Sequence, residues 1–265
     1  MRILMRLILP GTVGLLAFAS SRVSNGELFQ ESSRGSAGAP ITAKSRFAAF
    51  NGIRIHYLEW GHDGPPVVLL HGLKDDARVW EASASRLGAD FHVLAPDRRG
   101  AGSSDKPETG SDSQTLIGDV IGLIRYLKLG TVTLVGHSSG AEIALMTAIQ
   151  RPEMVRSLVM IDGGFWPSHT GSQYDPEPLY PRVFCPTLLI VARRPRPVES
   201  ELAEYRRLGR DYFKEVESGE RHAMEVADRK LPRGQMVLIE NTSHWIQMDQ
   251  PQLLAQTIRQ FLRAN

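Results

Sequence analysis

Short apolar runs alternate with amphipathic stretches along most of this chain. The runs contain four to six residues and are rich in Val, Ile and Leu, as in strands that are buried on both faces of a parallel sheet. Between them, apolar residues recur at helical spacing, most clearly over residues 116–127. This alternation predicts a doubly wound, mainly parallel sheet with flanking helices. The predicted parallel strands lie at residues 66–70, 91–95, 131–135, 158–161, 187–192 and 236–240.

Two further β-like runs precede these strands, at residues 46–50 and 53–60. The dipeptide Asn51-Gly52 between them is a strong hairpin signal, so the predicted sheet has eight strands. Ligands of open α/β sheets bind at the carboxyl ends of the strands. We therefore expect the functional site at that edge, where four polar residues follow predicted strands: His71, Asp97, Ser138 and Asp162.

One of these strand ends carries a motif with a specific chemistry. Residues 136–140 read Gly-His-Ser-Ser-Gly and lie between a predicted strand and a helix-permissive run at residues 141–146. A serine on such a turn adopts a strained backbone conformation, and its hydroxyl projects from the end of the sheet. The helix that follows directs free N–H groups and the positive end of its dipole to the same point. Because the pentapeptide alone is common, its flanking strand and helix are what predict Ser138 to be a nucleophile.

Composition narrows the functional classes. A length of 265 residues fits one large α/β domain, and contents of 42% hydrophobic and 23% charged residues are those of an ordinary globular protein. A formal net charge of +2 gives no case for nucleic-acid binding. The single cysteine, Cys185, excludes an internal disulfide and a cysteine metal cluster. Since neither a ligand cluster nor a dinucleotide fingerprint occurs, we expect no metal and no organic cofactor.

The N-terminal segment has the layout of a secretory signal peptide. Arg2 and Arg6 precede an apolar run at residues 7–16, and Ala-Phe-Ala at residues 17–19 is a small-x-small cleavage site. The run is short for a membrane span. We therefore expect a signal peptide at 1–19, export to the periplasm or outside the cell, and no stable membrane span afterwards. An organellar transit peptide is the alternative, because no acidic residue precedes Glu27.

The rest of the chain divides into a linker and a folded domain. Residues 20–44 are rich in Ser, Gly and Ala and are predicted to form a flexible linker, which leaves residues 45–265 as the domain.

The order of the motifs resembles a known superfamily. A buried strand is followed by His-Gly at residues 71–72, residues 97–104 read Asp-Arg-Arg-Gly-Ala-Gly-Ser-Ser, and the Gly-x-Ser-x-Gly turn comes next. Together these motifs resemble the α/β-hydrolase superfamily, in its branch with a serine nucleophile. The likeness covers residues 46–165 and resumes at 186–192 and 235–264.

The resemblance implies roles for several residues. Ser138 would be the nucleophile, and the backbone N–H groups of Leu73 and Ser139 would form the oxyanion hole. His244, on the loop after the last predicted strand, would take the proton from Ser138 and return it to the leaving group. His71 and His137 are expected to hold the oxyanion loop and the turn around the nucleophile.

The acid of the triad departs from the usual pattern. In most of the superfamily an Asp follows the penultimate strand, but residues 193–197 read Arg-Arg-Pro-Arg-Pro. Some relatives take the acid from the end of the preceding strand, where this chain has Asp162, and Asp162 is our prediction. Three alternatives remain open: Asp162 organises only its own turn, Glu199 is the acid, or the triad has no acid.

The cap also departs from the superfamily. Only a short aromatic flap, residues 163–185, stands where most relatives insert a large helical cap. Its side chains either line an acyl pocket or pack on the core. A long helical excursion at residues 197–233 is either a displaced lid or a surface helix. Candidate substrate-contacting residues are His71, Phe165, Trp166 and Trp245.

These observations predict a carboxylesterase-like serine hydrolase (EC 3.1), acting through an acyl-enzyme on a small-molecule ester of an uncharged or aromatic acyl group. Carbon–carbon hydrolysis and perhydrolysis are compatible with the same triad. Epoxide hydrolase and dehalogenase chemistry is disfavoured, because relatives with those activities carry Asp where Ser138 stands. The alternative is a ligand-binding or receptor-like protein on a hydrolase scaffold with little turnover, for which the missing standard acid is the argument.

Overall fold

The computed structural model describes residues 41–164, 176–193, 199–209 and 211–265. The predicted signal peptide, most of the predicted linker, and the candidate residues Phe165 and Trp166 lie outside the described residues.

An eight-stranded sheet forms the centre of the described part of the chain, as the sequence predicts. Its spatial order is β1-β2-β4-β3-β5-β6-β7-β8. The first hairpin, β1–β2, is antiparallel, and β2 also runs antiparallel to β4. All other neighbouring strands are parallel, so their carboxyl ends meet at one edge. The strands are β1 Lys44–Phe50, β2 Ile53–Trp60, β3 Pro66–Leu70, β4 His92–Pro96, β5 Val132–His137, β6 Val155–Ile161, β7 Thr187–Arg193 and β8 Gly234–Glu240.

Helices cover both faces of the sheet. One apolar cluster joins α2 and α3 to one face, and a second joins α1 and α7 to the other. Successive strand residues alternate between the clusters: Val68 belongs to the first and Leu69 to the second, because side chains of a strand point to opposite faces. The helices are α1 Glu81–Leu87, α2 Ser113–Tyr126, α3 Ser139–Gln150, α4 Glu199–Arg207, α5 Tyr212–Glu225, α6 Ile246–Asp249 and α7 Pro251–Ala264.

Shorter helical turns complete the architecture. They are the 3₁₀ turns Ala77–Trp80, Pro152–Met154 and Glu177–Arg182, and a π-helical turn Val226–Lys230. Within the described residues, no helix combines the length and the apolar character that a membrane crossing requires.

The helical excursion predicted at residues 197–233 contains two helices, α4 and α5, rather than a single long helix. Gly209, at φ +66°, interrupts the apolar stripe, and Asp211 caps the next helix by accepting a 3.2 Å hydrogen bond from the N–H of Lys214. The last part packs on the sheet, since Glu220 binds Arg193 of β7 (Nε–Oε1 2.7 Å) and Ala223 is buried. That half of the excursion therefore matches the surface-helix interpretation, and the lid stays a prediction.

In the described part of the flap at residues 163–185, the aromatic side chains differ in burial. Tyr180 is buried in the cluster that contains α2 and α3, whereas Phe184 is exposed. Of these two aromatic side chains, one packs on the core and the other does not.

Candidate active site

The nucleophile turn is built as the sequence predicts. Ser138 joins β5 to α3 with φ 52° and ψ −122°, a conformation that costs about 1–3 kcal/mol for a residue other than glycine. Its N–H donates to the Ile161 carbonyl at 3.0 Å, which ties the turn to β6. A Cβ on Gly136 would lie 2.3 Å from the Gly140 carbonyl oxygen, and one on Gly140 would lie 2.2 Å from that of Leu70. Both flanking positions therefore require glycine.

The structure brings the predicted base and the predicted acid together. His244 Nδ1 lies 2.7 Å from Asp162 Oδ2, and Asp162 Oδ1 accepts a 3.1 Å hydrogen bond from the N–H of Ala192. Asp162 reaches this place from the end of β6 through a left-handed backbone conformation, φ 44°. The competing candidate, Glu199, is exposed and pairs with Arg206 of its own helix instead. The geometry favours Asp162 over Glu199 as the partner of His244.

His137 holds the loop that carries His244 near Ser138. Its Nε2 donates to the His244 carbonyl at 2.8 Å, and the two imidazole centroids lie 4.5 Å apart. The side-chain amide of Gln247 donates to His137 Nδ1 at 3.2 Å, so the ring is neutral with its proton on Nε2. Burial, followed by the neighbouring His244, lowers the pKa of His137 to about 4. His137 therefore stays neutral at physiological pH and positions the loop.

The hydrogen bond between Ser138 and His244 is not formed in this structure. Among the described residues, the Ser138 hydroxyl has no hydrogen-bond partner. Catalytic hydrogen bonds are often long without substrate and tighten when it binds.

The predicted oxyanion-hole donors lie on either side of the nucleophile turn. A Cβ on Gly72 would lie 3.3 Å from Ser138 Cβ, which places the start of the loop with Leu73 directly against the nucleophile. The Leu73 N–H has no acceptor within the described part of the chain. Ser139 is the first residue of α3, and its N–H has no partner inside the helix. Both donors are thus available at the turn, and their role in catalysis stays a prediction.

His71, a candidate substrate-contacting residue, lies beneath the loop that carries Leu73. Its side chain is completely buried. Its Nδ1 donates to the Gly72 carbonyl at 2.8 Å, and its Nε2 accepts the Arg98 N–H at 3.0 Å. Burial first, and then the Arg98 charge, lower the pKa of His71 and keep the ring neutral. Both ring nitrogens are therefore occupied by backbone groups of the loops after β3 and β4, and contact between His71 and a substrate stays a prediction.

Trp245 is placed where a substrate could touch it. It is 44% exposed, and its ring stands edge-on to the His244 imidazole at 5.4 Å between centroids. Its contact with substrate stays a prediction.

Asp97, which also ends a strand, is fully occupied by structural contacts. Its Oδ1 accepts the N–H of Ala77 at 2.7 Å, and its Oδ2 faces the N–H of Ser103 at 2.7 Å and His56 Nδ1 at 2.8 Å. A Cβ on Gly102 would lie 2.0 Å from that same oxygen. Asp97 therefore organises the loops around β4 and is not a second candidate for the triad acid.

A residue that sequence reasoning did not single out is Arg98. Its guanidinium donates to the Gly72 carbonyl at 3.1 Å and to the Ser139 hydroxyl at 3.3 Å. It therefore bridges the two segments that border Ser138. The Asp-Arg-Arg-Gly sequence contains this arginine, but the partners of its side chain depend on the fold.

One group of described side chains could surround a metal ion, at the opposite edge of the sheet. The ligand atoms of Glu59, His62 and His92 lie within 4.8 Å of one another. Glu59 is already engaged by Arg46 and by His92 (Nε2–Oε1 2.8 Å). Burial alone would raise the pKa of Glu59, but these two hydrogen bonds outweigh it and lower that pKa. The negative charge of Glu59 is thus already balanced by Arg46 and His92. The expectation that the protein binds no metal stays a prediction.

Comparison with known proteins agrees with this architecture. A model of the alpha/beta hydrolase fold matches residues 65–183. The 2-(acetamidomethylene)succinate hydrolase of Mesorhizobium japonicum is 43% identical over 99 residues, which are 37% of this chain and 36% of that protein. The soluble epoxide hydrolase of a Corynebacterium species is 38% identical over 115 residues, 43% of this chain and 40% of that protein. A crystal structure of a membrane phospholipase A matches 84% of this chain and 86% of its own, with a TM-score of 0.69 and 22% identity.

The nucleophile turn, the parallel sheet and these likenesses define one class of protein. The chain has the α/β-hydrolase fold, and these likenesses support its place in that superfamily. It spans 36% and 40% of the length of the two curated relatives described above, and the phospholipase likeness shows the fold alone.

Proposed function

We propose that the protein is a serine hydrolase that cleaves small carboxylic esters through an acyl-enzyme on Ser138. The observation that carries this proposal is the 2.7 Å hydrogen bond between His244 and Asp162 at the strand ends beside the nucleophile turn. A carboxylate on Nδ1 keeps the imidazole proton on that nitrogen and leaves Nε2 free to accept a proton. The binding-protein alternative rests on a missing acid, and the hydrogen bond between Asp162 and His244 argues against that alternative.

The geometry supports a two-stage reaction. Ser138 attacks the ester carbonyl while His244 Nε2 takes the hydroxyl proton. The N–H groups of Leu73 and Ser139 hold the oxyanion of the tetrahedral intermediate, at about 3 kcal/mol of barrier for each donor. His244 then gives its proton to the departing alcohol, and the acyl group remains on Ser138. Water deprotonated by His244 releases the acid and restores the enzyme.

The identity of the nucleophile limits the reaction type. Attack of a serine on an epoxide would leave an ether, which water activated by histidine does not hydrolyse, whereas attack on an ester leaves a hydrolysable ester. Ser138 therefore argues against epoxide hydrolysis, although two of the relatives carry that name. The name of the Mesorhizobium relative, a hydrolase of a small succinate derivative, supports a small-molecule substrate. Carbon–carbon hydrolysis and perhydrolysis use the same groups.

Labelling with a fluorophosphonate probe tests the proposal without knowledge of the substrate. We expect the full chain to be labelled at Ser138, as located by peptide mass spectrometry, and the Ser138→Ala variant not to be labelled. Hydrolysis of short methyl esters should depend on the same residue. A folded wild-type protein that neither reacts with the probe nor hydrolyses any of these esters would overturn the assignment.

A further inference from the structure

Arg98 and Arg99, which follow β4, differ in the charge of the groups that their side chains contact. Arg99 forms a bidentate pair with Asp119 of α2, at 2.6 Å and 2.7 Å, and this pair raises the pKa of Arg99. Arg98 donates to two neutral acceptors, the Gly72 carbonyl and the Ser139 hydroxyl. Burial lowers the pKa of Arg98, and only the charge of Asp75 opposes that effect. Within the described residues, no carboxylate lies within the 4.0 Å of an ion pair with Arg98.

Arg98 is partly buried, and a partly desolvated cation without a paired anion carries a cost that no neighbouring charge offsets. Such a group is retained where it serves a site. A guanidinium has five N–H donors, and the two contacts above leave donors for a further acceptor. The planar fork of donors matches a carboxylate, which it can bind bidentately. Arg98 thus has the charge, the free donors and the geometry for an anionic ligand.

The position of Arg98 says which part of a substrate would meet it. Gly72 and Ser139 are the residues that the guanidinium contacts. Gly72 directly precedes Leu73 and Ser139 directly follows Ser138, so these contacts border the proposed oxyanion hole. A substrate whose carbonyl oxygen enters that hole places its acyl chain beside the same residues. A carboxylate joined to the reacting carbonyl by a short spacer would therefore reach Arg98.

We propose that Arg98 forms a subsite for a carboxylate on the acyl group, so that the preferred substrates are half-esters of short dicarboxylic acids. This inference rests on the proposed function and refines it, because the sequence alone favoured an uncharged or aromatic acyl group. Arg98 binds the substrate and takes no part in proton transfer.

A pair of nearly isosteric substrates isolates the charge. Monomethyl succinate carries a carboxylate where methyl succinamate carries a neutral amide, and methanol release from both can be followed by proton NMR. We expect wild-type kcat/KM to be at least about tenfold higher for monomethyl succinate, and Arg98→Gln to reduce that ratio by at least about tenfold. Arg98→Lys should keep part of the preference, since it keeps the charge and loses the fork.

The ratio separates substrate binding from a purely structural role. If Arg98 only holds the oxyanion loop, Arg98→Gln slows both esters equally and the ratio stays constant, which would overturn the proposal. Lys74 provides a matched control, because it is an exposed cation of the same loop. Lys74→Gln should leave the ratio of the two kcat/KM values within about threefold of wild type. A larger fall would mean that the summed positive charge of the loop, rather than a site at Arg98, causes the preference for the carboxylate.

Failure of the subsite is distinguishable from failure of the proposed function. If the protein reacts neither with the fluorophosphonate probe nor with either ester, the hydrolase assignment fails. In that case succinate binding, measured by calorimetry on wild type and Arg98→Gln, tests the subsite alone. Equal binding or no binding would refute it, and binding only by wild type would support it.

Discussion

The contacts of Asp162 allow its replacement by asparagine to be worked out atom by atom. The N–H of Ala192 points at Oδ1 from 3.1 Å, so the asparagine oxygen must occupy that position. Its NH₂ group then faces His244 Nδ1, which is 2.7 Å from Oδ2 in the wild type. Two donors cannot face each other, so the His244 proton moves from Nδ1 to Nε2. His244 can then no longer accept the proton of Ser138.

The expected cost follows from that change of tautomer. An equivalent change lowers kcat about 10⁴-fold in the well-studied serine protease triad, which corresponds to about 5 kcal/mol. We expect Asp162→Asn to slow ester hydrolysis and probe labelling by about 10³- to 10⁴-fold. The fold should survive, because Asp162 has φ 44° and asparagine tolerates this left-handed region.

The assay is the second-order rate of fluorophosphonate labelling, with thermal unfolding to confirm that each variant is folded. Glu199→Gln is the matched control, because Glu199 is the other candidate acid and, among the described residues, forms an exposed pair with Arg206. It should label within about twofold of wild type and change stability by less than about 1 kcal/mol. Labelling of Asp162→Asn within about tenfold of wild type would refute the assignment of the acid, as would a large loss in Glu199→Gln.

Two further predictions concern pH and the nucleophile turn. The pKa of His137 is about 4 in the folded protein and near 6.5 when unfolded, so stability is full above about pH 6.5 and falls toward pH 4. Chemical denaturation should give a free energy of unfolding that is roughly 2 kcal/mol lower at about pH 5 than at about pH 7.5. His137→Gln should reduce this pH dependence, and an unchanged pH dependence in the variant would contradict its assignment to His137. Gly163→Ala, whose Cβ would lie 2.5 Å from Ser138 Cα, should abolish labelling and destabilise by roughly 1–3 kcal/mol. Gly118→Ala, with open space inside α2, should stabilise by about 0.5–1 kcal/mol. The reverse order of these two stabilities would refute the steric argument.

The sheet and the position of the site could be predicted from the sequence because both follow from local patterns. Continuous apolar runs predict strands that are buried on both faces, and the parallel arrangement brings their carboxyl ends to one edge. That rule predicts Asp162 and Ser138 at the same edge, and the structure places them close together because β5 and β6 are neighbours.

Side-chain environments could not be predicted in the same way, because they depend on residues that are distant in the sequence. Arg98 and Arg99 are adjacent and chemically identical, yet among the residues that the structure describes only Arg99 binds a carboxylate, that of Asp119 on α2. His71 occupies the end of a strand as a catalytic residue would, but its burial and its two hydrogen bonds appear only in the packed loops. The break at Gly209 was hidden because the apolar spacing continues across it.

With Asp162 as its proposed acid, this protein would build its catalytic pair from three neighbouring strands of one sheet. Asp162 follows β6, His244 follows β8, and the N–H of Ala192 on β7 holds the carboxylate between them. In most of the superfamily the acid follows the penultimate strand, so an insertion directly after that strand would displace it. The same insertion in this chain would alter the sequence of neither member of the pair, and we expect the connection after β7 to accept a grafted loop, a fluorophore or a tether with less loss of activity than the same graft causes in such a relative.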